Sequence, residues 1–150
     1  MRFARSINGS KWRVAPLIQL LTLKSKLLTS MSIYELVGGE ATFARIADNF
    51  YNAVQEDEVL RPLYPGDWDE SKRTLKLFLM QYFGGPGAYS EERGHPRLRM
   101  RHGPFTIGQA ERDAWMKHMQ AAIEAENFPP ELHALFMDYF ERTATFMMNR

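Results

Sequence analysis

A short arginine-rich segment that ends in a histidine carries the most specific chemistry in the sequence. It covers residues 94–102 and stops at Gly103-Pro104, because proline cannot continue a helix. His102 is therefore expected on a last helical turn, held rigidly beside open space. An imidazole in that position suits a metal ligand, such as an axial ligand to iron, while Arg99 and Arg101 supply cations for carboxylates of the kind a haem carries and disfavour the imidazolium form. A surface or capping histidine is the alternative interpretation.

The composition narrows the class of protein. With 150 residues the chain fits one domain that buries most of its apolar surface. Cysteine is absent from the sequence, which excludes disulfides, thiolate zinc sites, iron–sulfur clusters and a cysteine nucleophile. The net charge is +1, but residues 1–30 contain six basic side chains and no acidic one, so residues 31–150 have a net charge of −5. This balance argues against nucleic acid as a partner.

Residues 1–30 form a basic N-terminal extension. Its apolar stretch, residues 14–23, is interrupted by polar residues and proline, lacks a cleavage pattern and is too short to cross a bilayer, so we expect a cytoplasmic protein. Leucines at helical spacing favour a weakly amphipathic helix with slight contact to a membrane surface or a partner, and a loosely ordered tail is the other expectation. Met31-Ser32 is a natural start for the folded domain, residues 31–150.

Residues 31–150 show helical periodicity and no convincing strand alternation, which predicts an all-α fold. Apolar stripes at three-and-four spacing predict four main helices. The residues predicted to face inward on these four helices are Phe43, Ile46, Ala47, Phe50, Tyr51 and Val54; Ser71, Leu75, Phe78, Leu79, Tyr82 and Phe83; Trp115, Met119, Ala122 and Ile123; and Leu132, Leu135, Phe136, Tyr139, Phe140, Thr143 and Met147.

Capping residues mark where helices begin, including a short helix that opens at Ser32 and ends at Gly38-Gly39 before the first main helix. Three N-cap residues are predicted, each followed by a glutamate at the third helical position: Ser32 with Glu35, Asp67 with Glu70, and Gly108 with Glu111. Pro129-Pro130 opens the last helix. Residues 84–96 are too rich in glycine and proline for a routine helix connection, and we expect a loop that wraps a bulky group.

Four runs of sequence occur in an order and at a spacing typical of one protein family. They are Phe50-Tyr51, Gln81-Tyr82-Phe83-Gly84-Gly85-Pro86, Gly94-His95-Pro96-Arg97-Leu98-Arg99-Met100-Arg101-His102 and Glu111-Arg112-Asp113-Ala114-Trp115. Through these runs, residues 32–150 resemble the truncated haemoglobins, specifically group II. The resemblance implies a shortened globin, in which two helix pairs form a two-over-two sandwich around haem b.

The resemblance also implies a role for individual residues. His102 matches the proximal ligand to the haem iron. The distal, ligand-facing residues of group II match Tyr51, Tyr64, Trp115, Ser71 and Leu75. The positions that contact haem propionates match Arg101, Arg99 and Tyr89, with Lys72 and Arg73 as rivals. Further haem contacts are expected from Phe78, Leu79, Phe83, Leu98, Phe105, Ile107 and Met119.

The implied function is binding of O₂ and other diatomic ligands such as NO and CO. Phenol and indole donors aimed at the partial negative charge of bound dioxygen would retain it strongly, which suits a redox protein or a scavenger better than a carrier. The alternative is a haem-dependent redox enzyme, an NO dioxygenase or a peroxidase. Its reductase would be a separate protein, because the chain lacks a flavin or nicotinamide motif. A helical interaction domain without haem is a third interpretation, and either a monomer or a homodimer is compatible with the sequence.

Three further histidines are expected to have structural roles. His95 precedes a proline and is predicted to make a structural hydrogen bond rather than to act as a second axial ligand. His118 and His133 lie off the apolar stripes of their helices. We therefore expect both to be solvated.

Overall fold

The computed structural model describes residues 14–150, with side chains from residue 17 onward. Helix α1 (Val14–Ser30) belongs to one compact unit, and residues Ile33–Arg150 form another. The leucines of α1 are exposed, and contact of this helix with a membrane surface stays a prediction. Among the described residues, no helix is both long and apolar enough to cross a membrane. The predictions for residues 1–13 lie outside the described residues.

The second unit consists of helices and loops, and no strand occurs in the described part of the chain, which confirms the all-α fold. Its elements are α2 (Ile33–Leu36), α3 (Glu40–Val54), a 3₁₀ turn (Arg61–Leu63), α4 (Trp68–Tyr82), α5 (Ala88–Arg93), α6 (Leu98–His102), α7 (Gln109–Glu124) and α8 (Pro130–Met147). Helix α3 packs against α4 and α7, and α7 packs against α8. Of the short helices, α5 packs against α4 and α6 packs against α8.

Local capping explains where α4 and α7 begin. The Asp67 Oδ1 atom accepts a hydrogen bond from the backbone N–H of Glu70 at 3.1 Å, as the pattern predicts. Gly108 has no side chain for capping, but its backbone N–H donates to Glu111 Oε2 at 3.0 Å. After α4, Gly85 allows the ring of Tyr34 to pack on the backbone, because a Cβ at this position would lie 2.7 Å from Tyr34 Cδ2.

The core is rich in aromatic side chains. Phe43 and Phe136 are completely buried, and the ring of Phe83 lies 4.3 Å from that of Phe136 between centroids. All six inward residues predicted for α3 are buried. Two predictions are wrong: Tyr82 is 52% exposed and Leu135 is 42% exposed. Tyr82 instead stacks at the edge of the core on Tyr139, while Met80 occupies a buried position on α4.

The connection after α4 differs from the predicted loop, because it contains helix α5. Gln81 on α4 holds this helix by two hydrogen bonds. Its Oε1 atom accepts from the backbone N–H of Ser90 at 2.9 Å, and its Nε2 atom donates to Ser90 Oγ at 2.7 Å. The helix ends at Gly94, which has a φ of +76°. These hydrogen bonds join residues nine positions apart, so the helical periodicity of the sequence does not predict them.

Candidate functional site

A cavity of about 540 Å³ lies inside the second unit, within the size range of small-molecule and cofactor sites. Its lining is mainly apolar and aromatic, and it includes Leu60, Leu63, Leu75, Phe78, Leu79, Leu98, Phe105, Ile107, Phe140 and Met147. The polar residues that line it include Tyr51, Tyr64, Thr74, Tyr89, Arg93, Arg101, His102 and Trp115. Such a cavity suits a large apolar molecule that carries a few polar groups.

His102 lines this cavity at the end of α6, where the sequence pattern places it. Its Nδ1 atom lies 2.6 Å from the backbone oxygen of Leu98. Because a carbonyl oxygen can only accept, Nδ1 carries the proton, and Nε2 of the neutral ring keeps its lone pair. A hydrogen bond from one ring nitrogen to a backbone carbonyl is the usual way in which proteins orient a metal-ligating histidine.

Three hydrogen-bond donors from different elements meet at the same cavity: Tyr51 on α3, Tyr64 after the 3₁₀ turn, and Trp115 on α7. The tyrosine rings are nearly perpendicular, with centroids 5.4 Å apart. Burial raises the pKa of Tyr64 to about 12, although hydrogen bonding from Tyr51 and Trp115 to its oxygen opposes this rise. Burial, and then the neighbouring Tyr64, raise the pKa of Tyr51 well above its usual value. Both phenols are therefore protonated donors at neutral pH.

Trp68 supports this cluster, and the sequence analysis missed it. Its ring centroid lies 6.2 Å from that of Tyr51 and 5.7 Å from that of Tyr64, but the residue does not line the cavity. It is the first residue of α4, directly after the cap Asp67. A large aromatic residue at that position, four residues after Tyr64, is the signal that could have identified it.

Arg101 brings a cation to the cavity. Its guanidinium carbon lies 6.0 Å from the ring centroid of Tyr89, and its Nη2 donates to the backbone oxygen of Arg93 at 2.8 Å. Its Nε is buried and has no hydrogen-bond partner within the described residues. Because a buried unpaired donor is costly, this atom favours an anionic group at the cavity edge. Arg93, which the sequence analysis missed, also lines the cavity and pairs with Glu70 at 2.7 Å.

The other candidate cations are engaged elsewhere. The Arg99 guanidinium lies over the ring of Phe146, and Arg73 pairs with Glu92. Lys72 donates to Asn52 Oδ1 at 2.9 Å. None of these three cations lines the cavity. Arg101, whose guanidinium lies over Tyr89, is therefore better placed than these three cations to contact a group bound in the cavity.

Most of the predicted apolar haem contacts line the cavity, but three predicted site residues besides Arg99 do not. Phe83 is packed between the rings of Phe43 and Phe136, and Met119 is completely buried in the core. Ser71 lies outside the lining, where Thr74 of the same helix takes part instead. The three-and-four spacing identifies the inward face of a helix but does not distinguish a wall of the cavity from the core beneath it.

The remaining histidines separate into three environments. His95 Nδ1 accepts a hydrogen bond from the backbone N–H of Arg97 at 3.1 Å, a structural bond of the predicted kind. The prediction for His118 is wrong, because its Nε2 lies 2.6 Å from Asp57 Oδ2 and its side chain is only 15% exposed. His133 is half-buried rather than fully solvated. Among the described residues, no cluster of three or more histidine and acidic side chains could hold a metal ion by itself.

These features fit haem. His102 offers an oriented ring nitrogen, the lining offers apolar contact to a flat macrocycle, and Arg101 offers an unpaired buried N–H to a carboxylate. An all-helical fold with a tethered histidine in the lining of such a cavity is typical of the globin class of haem proteins.

Comparison with known proteins agrees with this class. The sequence profile of the bacterial-like globins matches residues 32–149. The group 2 truncated haemoglobin YjbI of Bacillus subtilis is 39% identical over 117 residues, which cover 78% of this chain and 88% of that protein. The solved haemoglobin of Chloroflexus aurantiacus is 55% identical, with a TM-score of 0.79, covering 81% of this chain and all of that one. That of Thermobifida fusca is 52% identical, with a TM-score of 0.78, covering 79% and 98%.

The chain belongs to the group II truncated haemoglobins of the bacterial-like globin family. Haem as cofactor and haem-based binding of a gaseous ligand such as oxygen follow from this membership.

Proposed function

We propose that the protein binds dioxygen at a haem b ligated by His102 and retains it through Tyr51, Tyr64 and Trp115. Bound haem supplies an iron that takes diatomic ligands, among them O₂, NO and CO. The observation that carries the proposal is the presence of three neutral hydrogen-bond donors in the same cavity as the tethered imidazole of His102.

Each of these donors has one proton that it can offer to a bound ligand. A dioxygen ligand with partial negative charge would accept hydrogen bonds from the donors nearest to it. A hydrogen bond to a charged group contributes about 1.5–3 kcal/mol, so two such bonds slow ligand escape roughly a hundredfold or more.

Redox turnover is the second candidate function, and the donor cluster favours it over oxygen delivery. A protein that releases oxygen slowly delivers it poorly, whereas long retention gives a second reactant such as NO time to arrive. Electrons for repeated turnover would come from a separate reductase. Nitrate yield under repeated turnover distinguishes these functions. With NO, O₂ and an added electron donor, a dioxygenase yields many nitrates per haem, whereas a protein that only binds oxygen yields at most about one before its haem stays ferric.

Oxygen dissociation rates of three variants test the retention mechanism. We expect Tyr64→Phe and Trp115→Phe each to speed oxygen dissociation about tenfold, because each removes one donor. Tyr34→Phe is the matched control, since Tyr34 packs on Phe43 and does not line the cavity. Equal rates in all three variants and in the wild type would overturn the proposed role of these donors.

A further inference from the structure

A pair of side chains, His118 and Asp57, lies outside the cavity and has no part in the proposed function. His118 Nε2 and Asp57 Oδ2 are 2.6 Å apart, with 15% and 16% of the two side chains exposed. Neither residue lines the cavity. Exposed ion pairs contribute little to folding, but a short hydrogen bond between partly buried groups fixes the elements that carry them.

Asp57 organises the segment that follows α3, residues 57–64. Its Oδ1 atom accepts hydrogen bonds from the backbone N–H groups of Val59 at 2.8 Å and Leu60 at 3.0 Å, and its backbone oxygen accepts from Arg61 at 2.9 Å. The hydrogen bond from His118 is the main cause that lowers the pKa of Asp57, and the carboxylate therefore stays ionised. One side chain thus fixes the first turn of this segment and attaches it to α7.

The hydrogen bonds continue from Asp57 to Tyr64. Leu63 N–H donates to the Leu60 oxygen at 2.9 Å, and Tyr64 N–H donates to the Arg61 oxygen at 3.2 Å. Leu60 is also 2% exposed and lines the cavity. Hydrogen bonds therefore link the segment continuously from Asp57 to the backbone of Tyr64.

The other end of the pair lies on the helix that carries Trp115. His118 follows Trp115 by three residues on α7, so the two side chains are one helical turn apart. The contact between His118 and Asp57 consequently joins the element that positions the indole N–H to the element that positions the Tyr64 hydroxyl.

We propose that His118 and Asp57 are positioning residues that set the relative placement of Tyr64 and Trp115, and thereby the rate at which the ligand leaves. This inference rests on the proposed function, because it assigns the retention to those two donors. Neither residue of the pair touches the ligand.

The test compares His118→Ala and His118→Gln in the haem-loaded protein, with His133→Ala as control. His133 is a half-buried histidine on α8, and its side chain makes no hydrogen bond in the part of the chain that the structure describes. We expect His118→Ala to speed oxygen dissociation about five- to tenfold, because a misplaced donor loses much of its effect. Amide hydrogen exchange in residues 59–64 should accelerate in the same variant. His118→Gln, whose amide can donate to Asp57, should recover most of both changes.

The results separate this inference from the proposed function. An unchanged oxygen rate in His118→Ala, together with faster dissociation in Tyr64→Phe, would overturn the inference alone. Faster dissociation in His118→Ala without faster exchange in residues 59–64 would also overturn it. Unchanged rates in Tyr64→Phe and Trp115→Phe would overturn both proposals. If His118→Ala does not fold, Asp57→Asn gives the same comparison, with a smaller increase in both readouts expected because asparagine keeps the acceptor for Val59 and Leu60.

Discussion

Arg101 donates from Nη2 to the backbone oxygen of Arg93, and this bond holds its guanidinium at the cavity edge with the Nε atom unpaired among the described residues. A buried donor without a partner costs about 1–3 kcal/mol, and more for a charged group. The cost is relieved when a carboxylate binds next to it. The arrangement of Arg101 is therefore more consistent with a cavity built for an anionic cofactor than with an apolar core.

Substituting Arg101 tests this interpretation. We expect Arg101→Met to release haem to an acceptor such as apomyoglobin at least tenfold faster than the wild type, because a hydrogen bond to a charged group of about 1.5–3 kcal/mol is lost. Arg99→Met is the matched control, since Arg99 lies over Phe146 and away from the cavity, and we expect less than a twofold change. Equal rates for the two variants would show that Arg101 does not hold the cofactor.

The raised pKa of Tyr64 predicts alkaline behaviour. A phenol with a folded pKa near 12, above its unfolded value near 10, contributes stability that is complete below pH 10 and is lost as the pH rises through 12. We therefore expect a constant oxygen dissociation rate from pH 7 to pH 10. The difference in tyrosinate absorbance between wild type and Tyr64→Phe should titrate near pH 12.

The indole of Trp115 provides a control on the cause of that shift. Its N–H lowers the pKa of Tyr64, so Trp115→Phe should move the titration of this phenol to higher pH. A shift to lower pH would contradict the assigned direction of this hydrogen bond.

The core beneath the cavity should affect stability without affecting ligand retention. Phe136 is completely buried and packs against the rings of Phe43, Phe83 and Phe128. We expect Phe136→Ala to lower the free energy of unfolding by about 3–5 kcal/mol in chemical denaturation. Phe146→Ala, at a 57% exposed position on the same helix, should cost less than about 1 kcal/mol. Oxygen dissociation that changed more in Phe136→Ala than in Tyr64→Phe would contradict this separation.

The sequence predicts the helices well because their signals are local and periodic. The inward face of α3, the cap at Asp67 and the end of α6 at His102 each depend on residues within one or two turns. The proposed distal residues come from the family resemblance, since nothing in local spacing brings Tyr64 next to Trp115. His102, by contrast, is a candidate iron ligand already from its position directly before Gly103-Pro104.

Long-range pairs account for most of what the sequence analysis missed. His118 lies off the apolar stripe of α7, which predicts solvent, yet a partner 61 residues earlier buries it. Helix α5 depends on Gln81, and the position of Arg101 at the cavity edge depends on a backbone oxygen of Arg93. Such contacts follow from the packing of helices against one another, and the periodicity of the sequence does not predict them.

The central claim, that His102 holds haem in this cavity, is tested most directly by the Soret absorbance of the His102→Gly variant with and without imidazole. We predict a Soret band in the wild type, its loss in His102→Gly, and its return when added imidazole replaces the missing ring. His95→Gly, which removes a histidine from an exposed loop, should keep the band. A His102→Gly protein that retains haem with the wild-type spectrum, or a folded wild type that takes up no haem, would contradict the claim.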